Sequence, residues 1–289
     1  RVDVYEARRE AGGMCLDIPD ARLDKAVLRS DVVWLAAQGP VRLHAGRKVR
    51  DPATLKARFD AVVVATGLDR PLHLGIPGEK AAIDWRSWLE SETPADVAGR
   101  RVAVIGGGAV AVDCAEVAVA RGAASVELFA LETWAEMPLT NQERHSLRRA
   151  GVQVAGRTRV TRIARKGGAV AGIRTVRVTL PEGVAFHPRA VVEVTGSTQS
   201  RPDVDVVIVA IGARASVGDP GAGGVAIAGD AANGPTTVVE AVAAGKNVAA
   251  RLLASFEGRP APDVEKPTKS RVALKGRDAL PVSLDCDFF

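Results

Sequence analysis

The residues of this sequence that could do chemistry begin with a glycine-rich turn from Gly106 to Ala111. Gly106, Gly108 and Ala111 follow the G-x-G-x-x-G/A spacing of dinucleotide-binding loops. In such a loop the first glycine allows a tight turn, the second lets the backbone approach a pyrophosphate, and the third position permits close helix–strand packing. Free N–H groups at the start of the next helix, where Ala109 and Val110 stand, would face the negative charge. The spacing therefore predicts a dinucleotide site.

The elements needed to position this turn are those of a βαβ unit. Val102 to Ile105 is a continuous apolar run typical of a buried parallel strand, and Ala109 to Ala120 is a run of small and apolar residues typical of a helix packed on a sheet. A second strand is predicted to end near Glu132, which completes one dinucleotide-binding half from Arg101 onward. Asp113 lies in the predicted helix, where both a local helix role and a cofactor role stay open.

Composition and charge exclude several classes of function. The 289 residues are 47% hydrophobic, which suits a globular α/β protein with room for two domains. The net charge is +5, but basic residues are scattered and aromatic residues make up only 4%, so we expect no nucleic-acid surface. No apolar run reaches the roughly 18 residues of a membrane span and no signal peptide is visible, so we expect a cytoplasmic protein without a membrane contact.

Cysteine and histidine usage argues against a metal centre and against acid–base catalysis. The three cysteines, Cys15, Cys114 and Cys286, are far apart and form no C-x-x-C, so neither a redox disulfide nor a metal or iron–sulfur ligand set is expected. None of the four histidines has a sequence partner that would suggest catalysis. We therefore predict no catalytic side chain and no metal ligand.

The N-terminal segment carries a second candidate nucleotide contact. Val2 to Tyr5 predicts a short strand that ends at Glu6. A carboxylate at the end of a second Rossmann strand accepts hydrogen bonds from a ribose, and it belongs about 20 residues after a glycine turn. No such turn precedes Glu6, so the sequence is expected to begin inside a βαβ unit.

A series of motifs in a fixed order extends from residue 1 to about residue 255. They are VYEARREAGGM (Val4–Met14), IPDARL (Ile18–Leu23), VVVATG (Val62–Gly67), IPGE (Ile76–Glu79), IGGGAVAVDCA (Ile105–Ala115), EMP (Glu136–Pro138), VIVAIG (Val207–Gly212) and AGDAANGPTTVVEAVAAGKNVA (Ala228–Ala249). In these motifs the chain resembles the FAD-containing, pyridine-nucleotide-dependent oxidoreductases of the glutamate synthase small-chain type, which include the flavin portion of dihydropyrimidine dehydrogenase. The resemblance implies hydride transfer from NAD(P)H to FAD.

The resemblance also implies an α/β fold of two nested, three-layer Rossmann-like domains. An incomplete FAD-binding domain would comprise residues 1–78 and 203–256, and the NAD(P)H-binding domain would be inserted at residues 79–202. The chain would cross between them at Gly75–Gly78 and around Pro202.

Two further segments complete this domain organisation. Val160 to Glu193 alternates β-branched residues with Arg and Gly, which predicts an antiparallel ribbon attached to the inserted domain. Residues 257–289 are rich in Pro, Lys and Arg and are expected to be a linker that leads to the start of a further domain. Pro19 and Asp20 predict the start of a helix that runs to about Ala37.

By position, the resemblance assigns FAD contacts to both parts of the first domain. Glu6 would bind the adenosine ribose, and Gly13 with Met14 would line the pyrophosphate and ribityl region. Asp230, at a strand end, would accept a ribityl hydroxyl, and Thr237 would start a helix whose N–H groups face the flavin pyrimidine ring. The remaining contacts expected for FAD or for the loops around it are Arg22, Val49, Thr66, Gly67, Ile211, Gly212, Gly229 and Val238.

The second strand of the inserted domain bears on the choice of nicotinamide cofactor. Family members that use NADPH resemble V-x-x-x-Y-R-R-x-x-x-E-M-P, with two arginines that can pair with the 2′-phosphate. Leu131 and Glu132 stand at those positions here. A carboxylate repels a phosphate but accepts from a free 2′-hydroxyl, so we predict NADH over NADPH. Arg144, Arg148 or Arg149 on the next helix could still reach a 2′-phosphate, so NADPH stays open.

The identity of the whole protein's acceptor is left open by the sequence. The favoured function is an electron-input module of a flavin oxidoreductase, with electrons leaving through iron–sulfur clusters on another segment or subunit to a pyrimidine reductase or glutamate synthase-like partner. A stand-alone ferredoxin or small-molecule reductase and a non-catalytic nucleotide-binding module are the alternatives. Because no first glycine turn precedes Glu6, the isolated chain is expected to hold FAD poorly or not at all.

Overall fold

The computed structural model describes residues 1–91, 95–216 and 225–262. The strands are β1 (Val2–Tyr5), β2 (Val41–His44), β3 (Val62–Val64), β4 (Arg70–Pro71), β5 (Ile83–Asp84), β6 (Arg101–Ile105), β7 (Ser125–Phe129), β8 (Gln153–Ala155), β9 (Thr158–Lys166), β10 (Ala169–Thr179), β11 (Val192–Glu193), β12 (Gln199–Arg201), β13 (Val206–Val209), β14 (Ala213–Arg214) and β15 (Val225–Ile227). The α-helices are α1 (Lys25–Ala37), α2 (Trp85–Glu90), α3 (Ala109–Ala120), α4 (Asn141–Arg149), α5 (Asp230–Asn233) and α6 (Val238–Phe256). These elements confirm the predicted α/β class.

A five-stranded parallel sheet forms the centre of the structure. Its strand order is β5-β13-β6-β7-β8, and every neighbouring pair is parallel. All four residues of β13 and four of the five residues of β6 are buried. A strand covered on both faces has no reason to alternate polar and apolar residues, which explains why these strands are continuous apolar runs.

The position of β13 corrects one prediction. We expected this strand in the second part of the FAD domain, but Val206 pairs with Val102 and Val209 pairs with Ile105 in the five-stranded sheet. The return crossing predicted near Pro202 is therefore wrong. Strand β14, which follows β13, pairs antiparallel with β4. A buried apolar strand carries no local signal for which of two parallel sheets it joins, so the sequence did not decide this point.

Three helices and a tryptophan pair build the main core on this sheet. Helix α3 has the predicted bounds, and its buried alanines let it lie close to the strands. Trp85 and Trp88 of α2 are both buried, and the Trp88 Nε1–H donates to the Cys114 carbonyl of α3 at 3.2 Å. Leu147 of α4 and Met137 pack into the same cluster. Helices α2, α3 and α4 are thereby joined through one apolar core.

The predicted antiparallel ribbon is confirmed. Strands β9 and β10 pair antiparallel and are joined by Gly167 and Gly168, both with positive φ. Strand β10 also pairs with β11 and β12. Ile163 and Ile173 face each other across the ribbon and pack with Phe129 of β7 in a second buried cluster. The ribbon is therefore anchored to the five-stranded sheet.

The remaining strands form two parallel pairs, which we call the flanking pairs. One joins β1 to β2 and the other joins β3 to β15. Helix α6 begins at its predicted position, where Thr237 caps it in a capping box with Glu240. Helix α1 begins at Lys25 rather than near Pro19, because the Asp24 carboxylate accepts the Ala26 N–H at 2.7 Å and caps the helix there.

Within the described ranges, none of the helices is both long and apolar enough to cross a lipid bilayer.

Candidate dinucleotide site

The turn between β6 and α3 depends on a glycine at position 106. Gly106 has a φ of +145°, and a Cβ built there would lie 2.1 Å from the carbonyl oxygen of Ala210. The Gly106 N–H donates to the Phe129 carbonyl at 2.9 Å, and the Ala210 N–H donates to the Ile105 carbonyl at 2.7 Å. Strands β6, β7 and β13 therefore converge on this residue. Any side chain at position 106 would push β13 away.

The start of α3 has the properties of an anion site. Gly108 occupies the N-cap, and a Cβ built there meets none of the described atoms within 4 Å. The Gly108 carbonyl accepts from Ala111 N–H at 2.9 Å and from Val112 N–H at 3.3 Å, which starts the helix. By helix geometry the first N–H groups, those of Ala109 and Val110, point out of the helix end. Free N–H groups at a helix start can bind a phosphate group.

The side chain of Glu132 lies beside this turn. A Cβ built at Gly107 would be 2.6 Å from the Glu132 Oε2, so the carboxylate rests directly against the backbone of the glycine turn. Glu132 is half-buried just beyond β7. The structure thus brings together the glycine turn and the acidic residue that the sequence predicted as partners. A carboxylate in this place can accept hydrogen bonds from a ribose.

Two of the three arginines considered for a 2′-phosphate are engaged by other groups. Arg144 donates to the carbonyls of Trp134 and, at 2.6 Å, Met137. Arg148 lies over the Trp134 ring at 5.1 Å, and Arg149 is exposed. Of the three arginines considered for a 2′-phosphate, Arg144 is therefore committed to the backbone of the loop that follows Glu132.

Arg157 is a neighbour of the site that the sequence did not reveal. It donates to the Leu131 carbonyl at 3.0 Å and to the Glu136 carboxylate at 2.8 Å, and its own N–H donates to the Glu132 carbonyl at 3.1 Å. Its φ of +50° is rare for a residue with a side chain. No local motif marks such a residue, because its partners lie in an earlier strand end.

Asp113 of α3 is engaged by a residue from the N-terminal segment. Its side chain is 6% exposed and forms an ion pair with Arg22, which also contacts the 7%-exposed Glu143 of α4 at 2.8 Å. Burial raises the pKa of Asp113 to about 6, and the Arg22 guanidinium opposes that rise. Arg22, predicted near FAD, is thus placed against the helices of the five-stranded sheet.

The first group of predicted FAD contacts follows β1. The Glu6 carboxylate is half-buried and accepts the Arg8 N–H at 2.7 Å. Gly13 has a φ of +54° and no described atom within 4 Å of a Cβ built there. Met14 packs against the core of the five-stranded sheet, and Val49 is half-buried in the loop after β2. A carboxylate at a strand end and an open glycine turn fit the ribose and pyrophosphate of a dinucleotide.

The second group lies in the segment that follows β15. Gly229 has a φ of +66° and leads into α5, where the Asp230 carboxylate accepts the Thr236 N–H at 3.2 Å. Thr237 caps α6, and Val238 at its start is exposed. These residues and Glu6 stand on separate flanking pairs. Their chemistry fits a flavin nucleotide, with strand-end carboxylates for hydroxyls and a capped helix start for the ring.

Four predicted contacts lie in the loops between the flanking pairs and the five-stranded sheet. Thr66 is exposed and Gly67 has a φ of +65°, just before β4. Gly212 has a φ of +102°, and its carbonyl accepts the Leu72 N–H at 3.0 Å. Ile211 is half-buried between β13 and β14. These loops therefore lie where the chain leaves and re-enters the flanking pairs.

The part of the chain described by the structure contains no cluster of three or more His, Cys, Asp or Glu side chains suited to a metal ion.

Comparison with known proteins places the chain among oxidoreductases. The family model of the pyridine nucleotide-disulphide oxidoreductases matches residues 6–245. The NADP(+)-dependent formate dehydrogenase subunit beta of Moorella thermoacetica is 31% identical, over 92% of this chain and 42% of its own length. The glutamate synthase [NADPH] small chain of Azospirillum brasilense is 29% identical, over 73% of this chain and 47% of its own length. The chain thus spans less than half of either relative.

Solved structures extend the comparison to the fold. A complex of 2-naphthoyl-CoA reductase with 2-naphthoyl-CoA superimposes with a TM-score of 0.63 and 20% identity, covering 84% of this chain and 35% of that chain. This similarity concerns the fold, which is of the Rossmann-type found in nucleotide-binding reductases, as the sequence predicted.

Proposed function

We propose that this chain, which belongs to the pyridine nucleotide-disulphide oxidoreductase family, binds NAD(P)H at the turn between β6 and α3 and delivers its hydride to FAD. The observation that carries the proposal is the contact between the Glu132 carboxylate and Gly107 beside the open start of α3. A glycine turn, an unblocked helix N-terminus and a strand-end carboxylate are the three parts of a dinucleotide site. The similarity to a glutamate synthase small chain supports the same reaction class.

The residues of this chain would act by binding and orientation. The N–H groups of Ala109 and Val110 would hold the nicotinamide nucleotide's pyrophosphate, and Glu132 would accept from its adenosine ribose. Glu6, Asp230 and the start of α6 would hold FAD. When bound, the nicotinamide and the flavin supply the redox chemistry, so no catalytic acid or base is required of the protein.

The two parts of the chain would correspond to the two nucleotides. We place the NAD(P)H-binding part between β4 and β14, because these strands pair antiparallel and carry the chain out of and back into the flanking pairs. The FAD-binding part would comprise the segments before β4 and after β14. This division replaces the boundaries predicted at residues 78 and 203.

The proposed nicotinamide cofactor is NADH. A 2′-phosphate would meet the Glu132 carboxylate, which repels it, whereas a free 2′-hydroxyl would find an acceptor. The nearby guanidinium of Arg157 is held by Glu136 at 2.8 Å, and Arg144 is held by backbone carbonyls. The two relatives named above carry NADP or NADPH in their names, so this preference would distinguish the chain from them.

Binding measurements test this proposal without requiring flavin. Titration calorimetry of the chain should give an NADH dissociation constant about tenfold below that for NADPH. Glu132→Arg should reverse the preference, and Glu132→Gln, which keeps the shape of the side chain but loses its charge, should bring the two affinities together. Tighter NADPH binding by the unsubstituted chain would reject the NADH assignment, and binding of neither nucleotide would reject the site.

We further propose that electrons leave the flavin one at a time for iron–sulfur centres on a partner domain or subunit, which passes them to a pyrimidine reductase or glutamate synthase-like acceptor. The relatives support a partner, since one is a subunit of formate dehydrogenase and the other is the small chain of glutamate synthase. The motifs near the predicted FAD contacts contain no C-x-x-C that could receive the electrons.

A further inference from the structure

The segment from Arg8 to Leu23 lies against the helices of the five-stranded sheet. Arg8 contacts the Glu90 carboxylate at the end of α2 and is held by Asp17 of its own segment at 2.7 Å. Met14 packs against the apolar core of the sheet, and Arg22 reaches α3 and α4. The segment that carries the predicted FAD contacts Gly13 and Met14 is therefore attached to the helices around the NAD(P)H site.

Arg22 makes the most buried of these attachments. One of its terminal nitrogens contacts Asp113 of α3, and the other contacts Glu143 of α4 at 2.8 Å. Both carboxylates are almost fully buried, at 6% and 7% exposure, and Arg22 itself is 24% exposed. A planar guanidinium presents separate N–H groups in fixed directions, so it can hold carboxylates on two helices at once.

In the part of the chain that the structure describes, neither carboxylate forms an ion pair with a cation other than Arg22. The other oxygen of Glu143 already accepts from the Thr140 N–H at 2.8 Å and the Thr140 hydroxyl at 3.1 Å in the capping box of α4. The negative charges of Glu116 and Glu143 also oppose the ionisation of Asp113. Removing one partner of a buried ion pair leaves an uncompensated charge, which is costly. Arg22 is therefore required to hold the two buried carboxylates, and with them α3 and α4, in this arrangement.

The position of Asp113 connects this ion pair to the cofactor site. Asp113 lies in α3 about one turn beyond Gly108, on the helix whose first N–H groups face the proposed pyrophosphate site. The distance and angle between a nicotinamide and a flavin depend on how this helix is set against the segment that holds the flavin. Arg22 is a direct polar link between the two.

We propose that Arg22 is a positioning residue that fixes the NAD(P)H-binding helix against the FAD-binding segment, and that it thereby sets the rate of hydride transfer rather than the affinity for the nucleotide. This assignment rests on the proposed function. It goes beyond that function by giving a specific ion pair control over the relative placement of the two cofactors.

The test compares Arg22→Met and Arg22→Lys with the control Arg29→Met, which removes an exposed ion pair with Glu10. Rapid mixing of the chain, supplied with excess FAD, with NADH gives the limiting rate of flavin reduction and the apparent dissociation constant of NADH. Arg22→Met should lower the rate about tenfold and change the dissociation constant less than about twofold. Arg22→Lys should be intermediate, since one ammonium group cannot match both carboxylates. Arg29→Met should match the unsubstituted chain.

Hydrogen exchange gives a second readout that needs neither flavin nor nucleotide. In Arg22→Met, amides of residues 12–23 and of the first turn of α3 should exchange about tenfold faster, with β6 and β7 unchanged. If no nicotinamide nucleotide reduces the flavin in the presence of the unsubstituted chain, the proposed function fails. The exchange result still decides whether Arg22 joins the FAD-binding segment to the NAD(P)H-binding helix.

A double-mutant cycle keeps the proposal testable if Arg22→Met folds poorly. Glu143→Gln preserves the capping box, because Gln serves at that position as well as Glu, but removes the charge that Arg22 contacts. Its effect on the reduction rate should be smaller than that of Arg22→Met and not additive with it. Unchanged reduction rates in both variants, or a loss confined to NADH affinity, would overturn the proposal.

Discussion

The five-stranded sheet and the flanking pairs differ in how much of their apolar surface is buried. In the sheet, Val207 and Ile208 of β13 are fully buried. In the flanking pairs, Val2 and Val4 of β1 are 54% and 41% exposed, and Val63 of β3 is 43% exposed. The proposed NAD(P)H site therefore stands on a packed core, whereas the predicted FAD contacts stand on strands with little buried support.

The helices beside these strands show the same difference. Helix α3 buries six of its residues, whereas α6 exposes Val239 and Phe256 by more than 60%. Burial of apolar surface is the main source of stability, so local opening should begin in the flanking pairs rather than in the sheet. The two cofactor sites would thus differ in rigidity, with the nicotinamide site held by its own core.

The largest effect should come from a side chain at position 106. Gly106→Ala places a Cβ against the Ala210 carbonyl at a φ of +145°, so we expect a loss of about 3–4 kcal/mol in the free energy of unfolding. Gly108→Ala, where the space is open, should cost no more than about 1 kcal/mol but should weaken NADH binding. Urea denaturation with a binding titration separates the two effects. Equal stability losses would contradict the tight convergence of strands on Gly106.

A second, somewhat smaller effect should appear in the pH dependence of stability. Burial raises the pKa of Asp113 to about 6 in the folded state from an ordinary value of 3.8. The folded chain therefore binds this proton more tightly, and the resulting stability, present below about pH 4, is lost as the pH rises through about 6. We expect the unsubstituted chain to lose about 3 kcal/mol relative to Asp113→Asn across this interval, since the pKa of about 6 already includes the opposing effect of Arg22.

Urea denaturation of both chains between about pH 4 and pH 7 measures this difference, with Asp31→Asn on the exposed face of α1 as the control. In the flanking pair of β1 and β2, Asp3 should show the opposite pH dependence of stability. Hydrogen bonds from Arg1 and His44 lower the pKa of Asp3 to about 2, so its contribution is present at neutral pH and is lost as the pH falls through that value. A difference between Asp113→Asn and the unsubstituted chain that does not vary with pH would argue against a buried Asp113 with a raised pKa.

Local patterns predicted most elements because those elements depend on nearby residues. The strand Val2–Tyr5 and the helix Ala109–Ala120 have the predicted bounds. The start of α1 was wrong by several residues, since Asp24 forms the cap that the sequence assigned to Pro19 and Asp20. Competing turn and cap residues within a few positions are difficult to rank from sequence alone.

Long-range partners could not be predicted in the same way. The position of Glu132 beside the glycine turn follows from βαβ geometry, which fixes where a strand ends relative to that turn. No comparable rule predicts which sheet β13 joins, which residues Arg157 contacts, or that Arg22 pairs with Asp113. Such contacts depend on how distant segments fold together, which residue types alone do not specify.

The smallest predicted effect compares two capping boxes of nearly identical geometry. Thr140 caps α4 beside the five-stranded sheet, and Thr237 caps α6 beside the flanking pairs; each hydroxyl accepts an N–H at 3.2 Å. The Glu143 side chain is 7% exposed and also binds Arg22, whereas Glu240 is exposed. Loss of the Thr140 hydroxyl removes one partner from a buried carboxylate, so Thr140→Ala should cost about 2 kcal/mol and Thr237→Ala about 0.5–1 kcal/mol.

Thermal and urea unfolding of the two alanine variants measures this difference, and Thr140→Ser and Thr237→Ser, which keep the hydroxyl, serve as matched controls. Both serine variants should remain within about 0.5 kcal/mol of the unsubstituted chain. If the two alanine variants lost the same stability, burial around Glu143 would add nothing to the cap. The difference in burial between the five-stranded sheet and the flanking pairs would then not affect the stability of their helix caps. The contact of Arg22 with Glu143 would also have to be weaker than its burial implies.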